Sequence, residues 1–220
     1  SRGLGDVYKR QGICMSRETM EHLVTCGISR EKLCYINPAQ DGVIKPKKYV
    51  LGITHRNYDA VDKRKRVSAL VDICQKLDPS YFKIKIMGAG WETVVEQLRE
   101  LKFEVDYFPD FDYDIYVNLI PSLDYYLFWG FDEGSMGYLD ALAAGVETIV
   151  TPQGYHLDIP SGITYPCRII SDFEHVLLDL QNKRKRIVKS VSDWTWEQYV
   201  EKHLEAVSYT HLRAHETGAY

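Results

Sequence analysis

The chain has 220 residues, 45% of them hydrophobic, 26% charged and 12% aromatic. That is an ordinary globular composition, long enough for one α/β domain, and it excludes disorder and collagen-like repeats. The formal net charge of −4 excludes a dominant nucleic-acid footprint. No apolar run approaches the roughly 20 residues that span a bilayer. The 5 cysteines are scattered without a C-x-x-C pair, so zinc-site and disulfide frameworks lose support and a reducing, cytosolic setting is expected.

The two ends are expected to be foreign to the rest of the chain. Residues 1–11 (SRGLGDVYKRQ) and the start of residues 207–220 (VSYTHLRAHET) decode from the two strands of one short DNA duplex. That DNA resembles a transposase sequencing adapter of the kind used on environmental DNA. Residues 1–11 and 207–220 are therefore read as adapter-derived tails, 12–206 as the domain proper, and the whole as a metagenomic fragment. The tails contribute Arg2, Lys9, Arg10 and Arg213 against Asp6 and Glu216, so the remainder is more acidic than the whole chain.

No internal repeat or low-complexity segment interrupts the remainder. Short β-rich runs alternate with amphipathic helical runs, the pattern of βα units around a parallel sheet. Ser16 is placed to cap a helix reaching about Cys26, with Gly27 in the C′ position. A short run at 33–36 ends in the loop 37–42. Residues 48–54 (KYVLGIT) form a strand, followed by a polar loop over 55–62. Within 65–77, Val67, Leu70, Val71 and Cys74 recur at helical spacing. Residues 82–87 (FKIKIM) alternate as a strand and break at Gly88-Ala89-Gly90. A helix over 91–102 carries Val94, Val95, Leu98 and Leu101 on one side, and 103–108 returns as a strand. Residues 112–120 read as a helix and 125–128 as a buried strand. The loop 129–134 leads into a helix over 135–144, ended by Gly145. Residues 147–151 (ETIVT) are the next strand. After an irregular stretch, Ser171-x-x-Glu174 is a capping box for a helix to about Lys189. Thr195-x-x-Gln198 is a second, for a terminal helix through His203.

This order predicts a single α/β domain with a doubly wound, Rossmann-like parallel sheet. Ligands of such sheets bind beyond the C-terminal strand ends, where helix N-terminal amides face anions. The strongest local feature there is the run from Asp132 to Gly145. Its glycines allow close approach to the backbone, and the amides of Ser135, Met136 and Gly137 are expected to meet a phosphate. Asp140, one to two turns into the helix, stands where a carboxylate accepts bonds from a ribose diol. A plain strand–turn–helix connection with solvated acids fits the same spacing. Gly88-Ala89-Gly90-Trp91 either lines a nucleotide-base pocket or is a tight turn anchored by Trp91. It lacks the third glycine and spaced acid of a dinucleotide fingerprint. The stretch from Gln153 to Asp158 follows a strand end and is expected to border the site. Its His156 reads as a hydrogen-bonded loop histidine before a catalytic one.

These residues resemble the C-terminal domain of group 1 glycosyltransferases, the retaining, nucleotide-sugar-dependent enzymes of the GT-B fold. The resemblance is carried by Glu133-Gly134, Asp140-Ala141, Ala144-Gly145 and the strand Thr148-Ile149-Val150-Thr151. It extends upstream through Gly27-Ile28, Lys32-Leu33, Ile36-Asn37-Pro38 and Gly52-Ile53-Thr54-His55-Arg56. Downstream, Trp194-Thr195-Trp196-Glu197-Gln198-Tyr199 resembles the helix that crosses back to the N-terminal domain. On this likeness 12–46 is an interdomain segment and 195–206 the crossover helix.

The resemblance implies roles. The family's paired carboxylates are both Glu, separated by seven residues. Here Glu133 and Asp140 are separated by six, and Asp132 and Asp140 by seven. Asp132 or Glu133 is thus implied for the donor sugar and Asp140 for the ribose. Arg56 matches the first member of the family's diphosphate-neutralising Arg and Lys pair. Lys65 is chosen for the second, with Lys63 and Arg64 as rivals; a solvated charge run is the bland reading of all of them. Arg56, Lys65 and Glu133 are the catalytic candidates. Asp132, Gly134, Ser135, Met136, Gly137, Asp140, Gly88 and Gly90 are the substrate-binding ones. No metal-ligand cluster is apparent, in keeping with fixed cations and helix amides stabilising the leaving diphosphate without a metal or other cofactor.

The expected function is sugar transfer from a nucleoside diphosphate sugar to a glycan, lipid or protein acceptor, with retention. The implied partners are the donor and a missing N-terminal acceptor domain, without which the fragment is expected to be inactive. The parent is placed in the cytoplasm or on the inner face of the membrane. Two other readings stay open: a non-catalytic Rossmann-like binding module and a nucleotide-sugar epimerase.

Overall fold

A computed structural model of the protein describes residues 12–57 and 69–216, with side chains through residue 208. The chain divides into two compact units, Pro46–Arg186 and the paired segments Ser1–Lys45 and Ile187–Tyr220. The second unit opens with β1 (Gly12–Cys14), α1 (Arg17–Thr25) and β2 (Leu33–Tyr35), the two strands pairing in parallel. The α1 boundaries follow the local signals. Ser16 Oγ accepts from the Thr19 amide at 3.1 Å. At the other end the Ile28 and Gly27 amides donate to the Leu23 and Val24 carbonyls, the paired bonds of a Schellman ending. Strand β1 is not signalled by the sequence pattern, being three residues long.

The unit Pro46–Arg186 holds a six-stranded parallel sheet. Its strands are β3 (Tyr49–Ile53), β4 (Phe82–Met87), β5 (Glu104–Phe108), β6 (Tyr125–Phe128), β7 (Glu147–Val150) and β8 (Tyr165–Pro166). The spatial order is β5-β4-β3-β6-β7-β8. Counted within the unit, that is the doubly wound order 3-2-1-4-5-6, which reverses direction between β3 and β6. The helices are α2 (Ala69–Cys74), α3 (Glu92–Glu100), α4 (Tyr113–Leu119), α5 (Met136–Ala143) and α6 (Ile170–Lys189), the last ending beyond the unit.

Alternation along the strands builds a core on each face of the sheet. On one face Leu51, Ile53, Ile84, Ile86, Leu127 and Ile149 pack with residues of α2, α3 and α6. On the other, Tyr126, Phe128 and Val150 pack with Leu119, Tyr138 and Ala141. Strand β6 is buried at all of its positions, which is why Tyr-Tyr-Leu-Phe is a continuous apolar run. Burying each such side chain contributes about 1.5–3 kcal/mol. At the β4–β5 edge the alternation turns polar. Lys83 Nζ lies 2.6 Å from Glu104 and 3.0 Å from Asp106.

Two helix starts separate local from non-local control. Asp112, read as the first residue of a helix over 112–120, is the cap of α4 and accepts the Ile115 amide at 3.0 Å. Helix α6 begins at Ile170, so Ser171 lies inside it and is not its cap. The capping acceptor is Asp172 Oδ2, which takes the Arg168 amide at 2.7 Å and the Ile169 amide at 3.1 Å. A carboxylate in the first turn is the stronger acceptor and also suits the helix dipole. Glu174 instead pairs with Lys76 at 2.7 Å. In the other unit, Thr195 Oγ1 accepts from the Gln198 amide at 3.3 Å and opens α7 (Trp196–Glu216). That helix runs past the expected end at 206. Strand β8 falls in the stretch read as irregular. Among the described residues no helix is long and apolar enough to cross a membrane.

Candidate functional site

The loops that follow β3 and β6 leave from one edge of the sheet, because the two strands are parallel neighbours with Gly52 opposite Tyr126. Arg56 lies in the first loop and Asp132 and Glu133 in the second. The two loops flank the switch point of the strand order, where ligands of doubly wound sheets bind. A ladder of rings underlies this edge. His55 stands 5.3 Å from Trp91 and 5.4 Å from Phe128, and His156 stands 5.6 Å from Phe128 and 4.1 Å from Tyr138, centroid to centroid. Four strand ends thus share one aromatic layer.

Above the ladder, hydroxyls tie the end of β3 to the start of α5. Thr54 Oγ1 is 3.0 Å from Tyr126 Oη, and Tyr126 Oη is 2.6 Å from Ser135 Oγ. Burial pushes the Tyr126 phenol up to about 12, so it stays protonated in this chain. Gly137 makes the approach possible: a Cβ there would sit 2.0 Å from Thr54 Oγ1 and 2.6 Å from Tyr126 Oη. Ser135 is the N-cap residue of α5, yet its side chain makes no cap bond because Tyr126 holds it. The Met136 and Gly137 amides occupy first-turn positions that have no intrahelical acceptor. The Ser135 amide, expected to meet a phosphate, does not do so: it donates to His156 Nε2 at 3.0 Å.

His156 is fully buried, and its Nδ1 lies 3.1 Å from the Thr151 carbonyl. Since Nε2 accepts from an amide, Nδ1 carries the proton and the ring is neutral. Burial holds its pKa below the ordinary histidine range. It is a structural histidine, in line with the reading of a bonded loop residue.

The acidic turn is braced from the loop after β7. The Asp132 amide donates to Gln153 Oε1 at 3.2 Å, and Gln153 Nε2 donates to the Gly130 carbonyl at 2.6 Å. The Tyr155 amide donates to the Glu133 carbonyl at 3.0 Å. Two glycines admit this closeness. A Cβ on Gly134 would lie 2.5 Å from Cζ of Tyr155, and one on Gly154 would lie 1.9 Å from the Glu133 carbonyl oxygen. Asp132 Oδ1 accepts the Glu133 amide at 2.9 Å, which leaves that carboxylate partly committed to its own turn. Both acids are exposed.

Gly88 and Gly90, expected to line a donor pocket, face protein instead. Gly88 has φ of 142°, and a Cβ on it would meet the His55 carbonyl oxygen at 2.4 Å. The Gly90 carbonyl accepts from Asn57 Nδ2 at 2.6 Å. Trp91 is fully buried and its indole N–H donates to the His55 carbonyl at 2.7 Å. The tight turn anchored by Trp91 is therefore the reading that describes this segment. Its effect on the site is indirect, through the backbone that carries Arg56.

Asp140 is exposed on α5 and accepts from the Tyr116 hydroxyl at 2.5 Å. Burial, and then the Asp140 carboxylate, push the Tyr116 phenol pKa up. Arg56 is exposed. Lys65, with Lys63 and Arg64, lies outside the described residues. Among the described residues no group of three or more His, Cys, Asp or Glu side chains is placed to hold a metal ion. Sequence reasoning missed Thr54, Tyr116 and Tyr126 as site residues. Each sits in a strand end or helix whose pattern signals only burial, and their partners lie far away in the chain.

Neither a family profile nor a curated protein sequence matches the chain. Solved structures that it resembles include glycosyltransferases. The lipopolysaccharide outer core galactosyltransferase WaaB is 18% identical, with a TM-score of 0.49 over 90% of this chain and 62% of that one. HepE from Anabaena, solved with UDP-glucose, is 14% identical, with a TM-score of 0.47 over 96% of this chain and 64% of that one. The catalytic domain of cholesterol-α-glucosyltransferase from Helicobacter pylori is 12% identical, with a TM-score of 0.47 over 74% of this chain and 99% of that one. The chain thus spans less than two thirds of the length of WaaB and of HepE.

Proposed function

We propose that the chain is the nucleotide-sugar-binding part of a glycosyltransferase that moves a sugar, with retention, from a nucleoside diphosphate donor to a glycan, lipid or protein acceptor. The observation that carries this reading is the junction of Thr54, Tyr126 and Gly137. It brings the β3 end, with Arg56 two residues on, against the first turn of α5, with Glu133 just before it. A guanidinium and two first-turn amides beside one crevice suit a diphosphate, whose charge grows as the bond to the sugar breaks. Among the described residues no side chain engages the Glu133 carboxylate, whereas Asp132 is spent in part on its own turn. Glu133 is accordingly assigned to the donor sugar and Asp140 to the ribose. Lys65 is assigned as the second cation. In this reading the neutralising charges are side chains, and neither a metal nor another cofactor is required. The acceptor is taken by a further domain, so transfer needs more than this chain.

Calorimetric titration with UDP, GDP and ADP tests the reading. One of the three binds, and Arg56→Ala weakens it by about tenfold or more, the loss of one charge-assisted phosphate contact. A folded chain that binds none of them, or an Arg56→Ala variant that binds as tightly as the parent, overturns it.

A further inference from the structure

We infer that Gln153 is a positioning residue for the donor sugar, setting the aim of Glu133 from the neighbouring strand. The inference rests on the assignment of Glu133 above. Gln153 is a half-buried amide whose two ends are both used on the acidic turn. Its oxygen accepts the Asp132 amide at 3.2 Å and its nitrogen donates to the Gly130 carbonyl at 2.6 Å. A single planar group therefore spans the residues on either side of Phe131. The next two residues extend the brace. Gly154 has φ of 49° and leaves no room for a Cβ against the Glu133 carbonyl, and the Tyr155 amide donates to that same carbonyl at 3.0 Å.

Within the acidic turn the Glu133 amide donates to Asp132 Oδ1 at 2.9 Å, a bond that leaves the direction of the Glu133 side chain open. Its side chain is exposed, and Gly134 beside it has φ of 137°, a conformation with little backbone stiffness of its own. The direction comes from β7. Through Gln153 and Tyr155, the loop after that strand fixes the backbone from which Glu133 projects, while the start of α5 is held by the Thr54–Gly137 junction and by His156. The Gln153 bonds reach Gly130 and Asp132 and not the α5 start, so losing them bears on the sugar while the diphosphate site keeps its own supports. The glutamine amide presents a donor and an acceptor side by side on one planar group, matched to the Gly130 carbonyl and the Asp132 amide. Gln153→Glu keeps the acceptor for Asp132 but sets an oxygen against the Gly130 carbonyl, and Gln153→Ala removes both bonds.

The experiment uses the full chain and three ligand pairs: UDP with UDP-glucose, GDP with GDP-mannose, and ADP with ADP-glucose. Affinities are measured for the parent, Gln153→Ala and Gln153→Glu, with thermal unfolding of each as the check on folding. For the pair that binds, the parent holds the sugar conjugate more tightly than the bare diphosphate. Both variants keep the affinity for the bare diphosphate within about twofold and lose about tenfold for the conjugate, the scale of one charge-assisted hydrogen bond. Equal weakening of both ligands, or an unchanged preference for the conjugate, overturns the positioning role. So does a parent that binds the diphosphate and its conjugate alike. If the folded parent binds no ligand of any pair, the functional reading falls first and this inference with it.

Discussion

His156 Nε2 accepts the backbone amide of Ser135 at 3.0 Å, so the first residue of the α5 start is held by a ring from the loop after β7. The bond needs a neutral imidazole. The unfolded histidine titrates near 6.5, and burial lowers the folded value. The unfolded chain therefore takes up the proton first as pH falls. The stability from this group is complete above about pH 6.5 and is lost as pH drops through that value toward the folded one. Thermal unfolding between pH 8 and pH 5.5 checks this: the parent loses stability on the acid side, and His156→Phe flattens that slope. The same substitution costs about 1–3 kcal/mol at neutral pH, because it strands the Ser135 amide and the Thr151 carbonyl. An equal acid slope in parent and variant would place the titration elsewhere.

Gly137→Ala drives a methyl group to 2.0 Å from Thr54 Oγ1. The chain answers by separating β3 from α5, at a cost of about 1–3 kcal/mol. Nucleotide binding falls with it, since the separation opens the crevice. Removing the obstructing oxygen relieves part of the strain, so Thr54→Ala combined with Gly137→Ala is more stable than the sum of the single effects. Urea unfolding of the three variants measures the coupling; strict additivity would mean that the two residues do not meet.

Tyr116→Phe removes the hydroxyl that holds Asp140. If Asp140 serves the ribose, the variant loses discrimination between UDP and 2′-deoxy-UDP, or between the matching pair of the preferred base. The ratio of affinities drops by about fivefold, on the scale of one hydrogen bond. Calorimetry with both nucleotides reads this directly. A ratio unchanged by the substitution separates Tyr116 from ribose recognition.

Thiol reactivity follows burial. Cys74 and Cys167 are buried, and burial pushes both thiols up to about 12, so neither forms thiolate at neutral pH. Cys26 is exposed. Iodoacetamide at pH 7.5 therefore labels Cys26 in the folded chain and reaches Cys74 and Cys167 only after unfolding. Peptide mass spectrometry distinguishes the sites, and early labelling of Cys74 would contradict the packing of α2 on the sheet.

Residue order alone accounts for the parts. Helix α1 between Ser16 and Gly27, the Thr195 cap and the buried strand Tyr125–Phe128 all rest on residues within a few positions of one another. Local hydrogen bonds and alternating burial leave a direct trace in the order of residue types. It also pointed to the strand ends carrying Arg56 and the acidic turn as the place to look for function. What those ends do to each other is a matter of packing. That Asp172 and not Ser171 caps α6, that His156 takes the Ser135 amide, that Gly88 and Gly90 face the His55–Asn57 backbone, and that Tyr116 holds Asp140 are all set by packing. Thr54 and Tyr126 meet across 72 positions of chain, a distance over which no periodicity carries information. Their encounter depends on the strand order, which follows from how the two cores fill and not from any single segment.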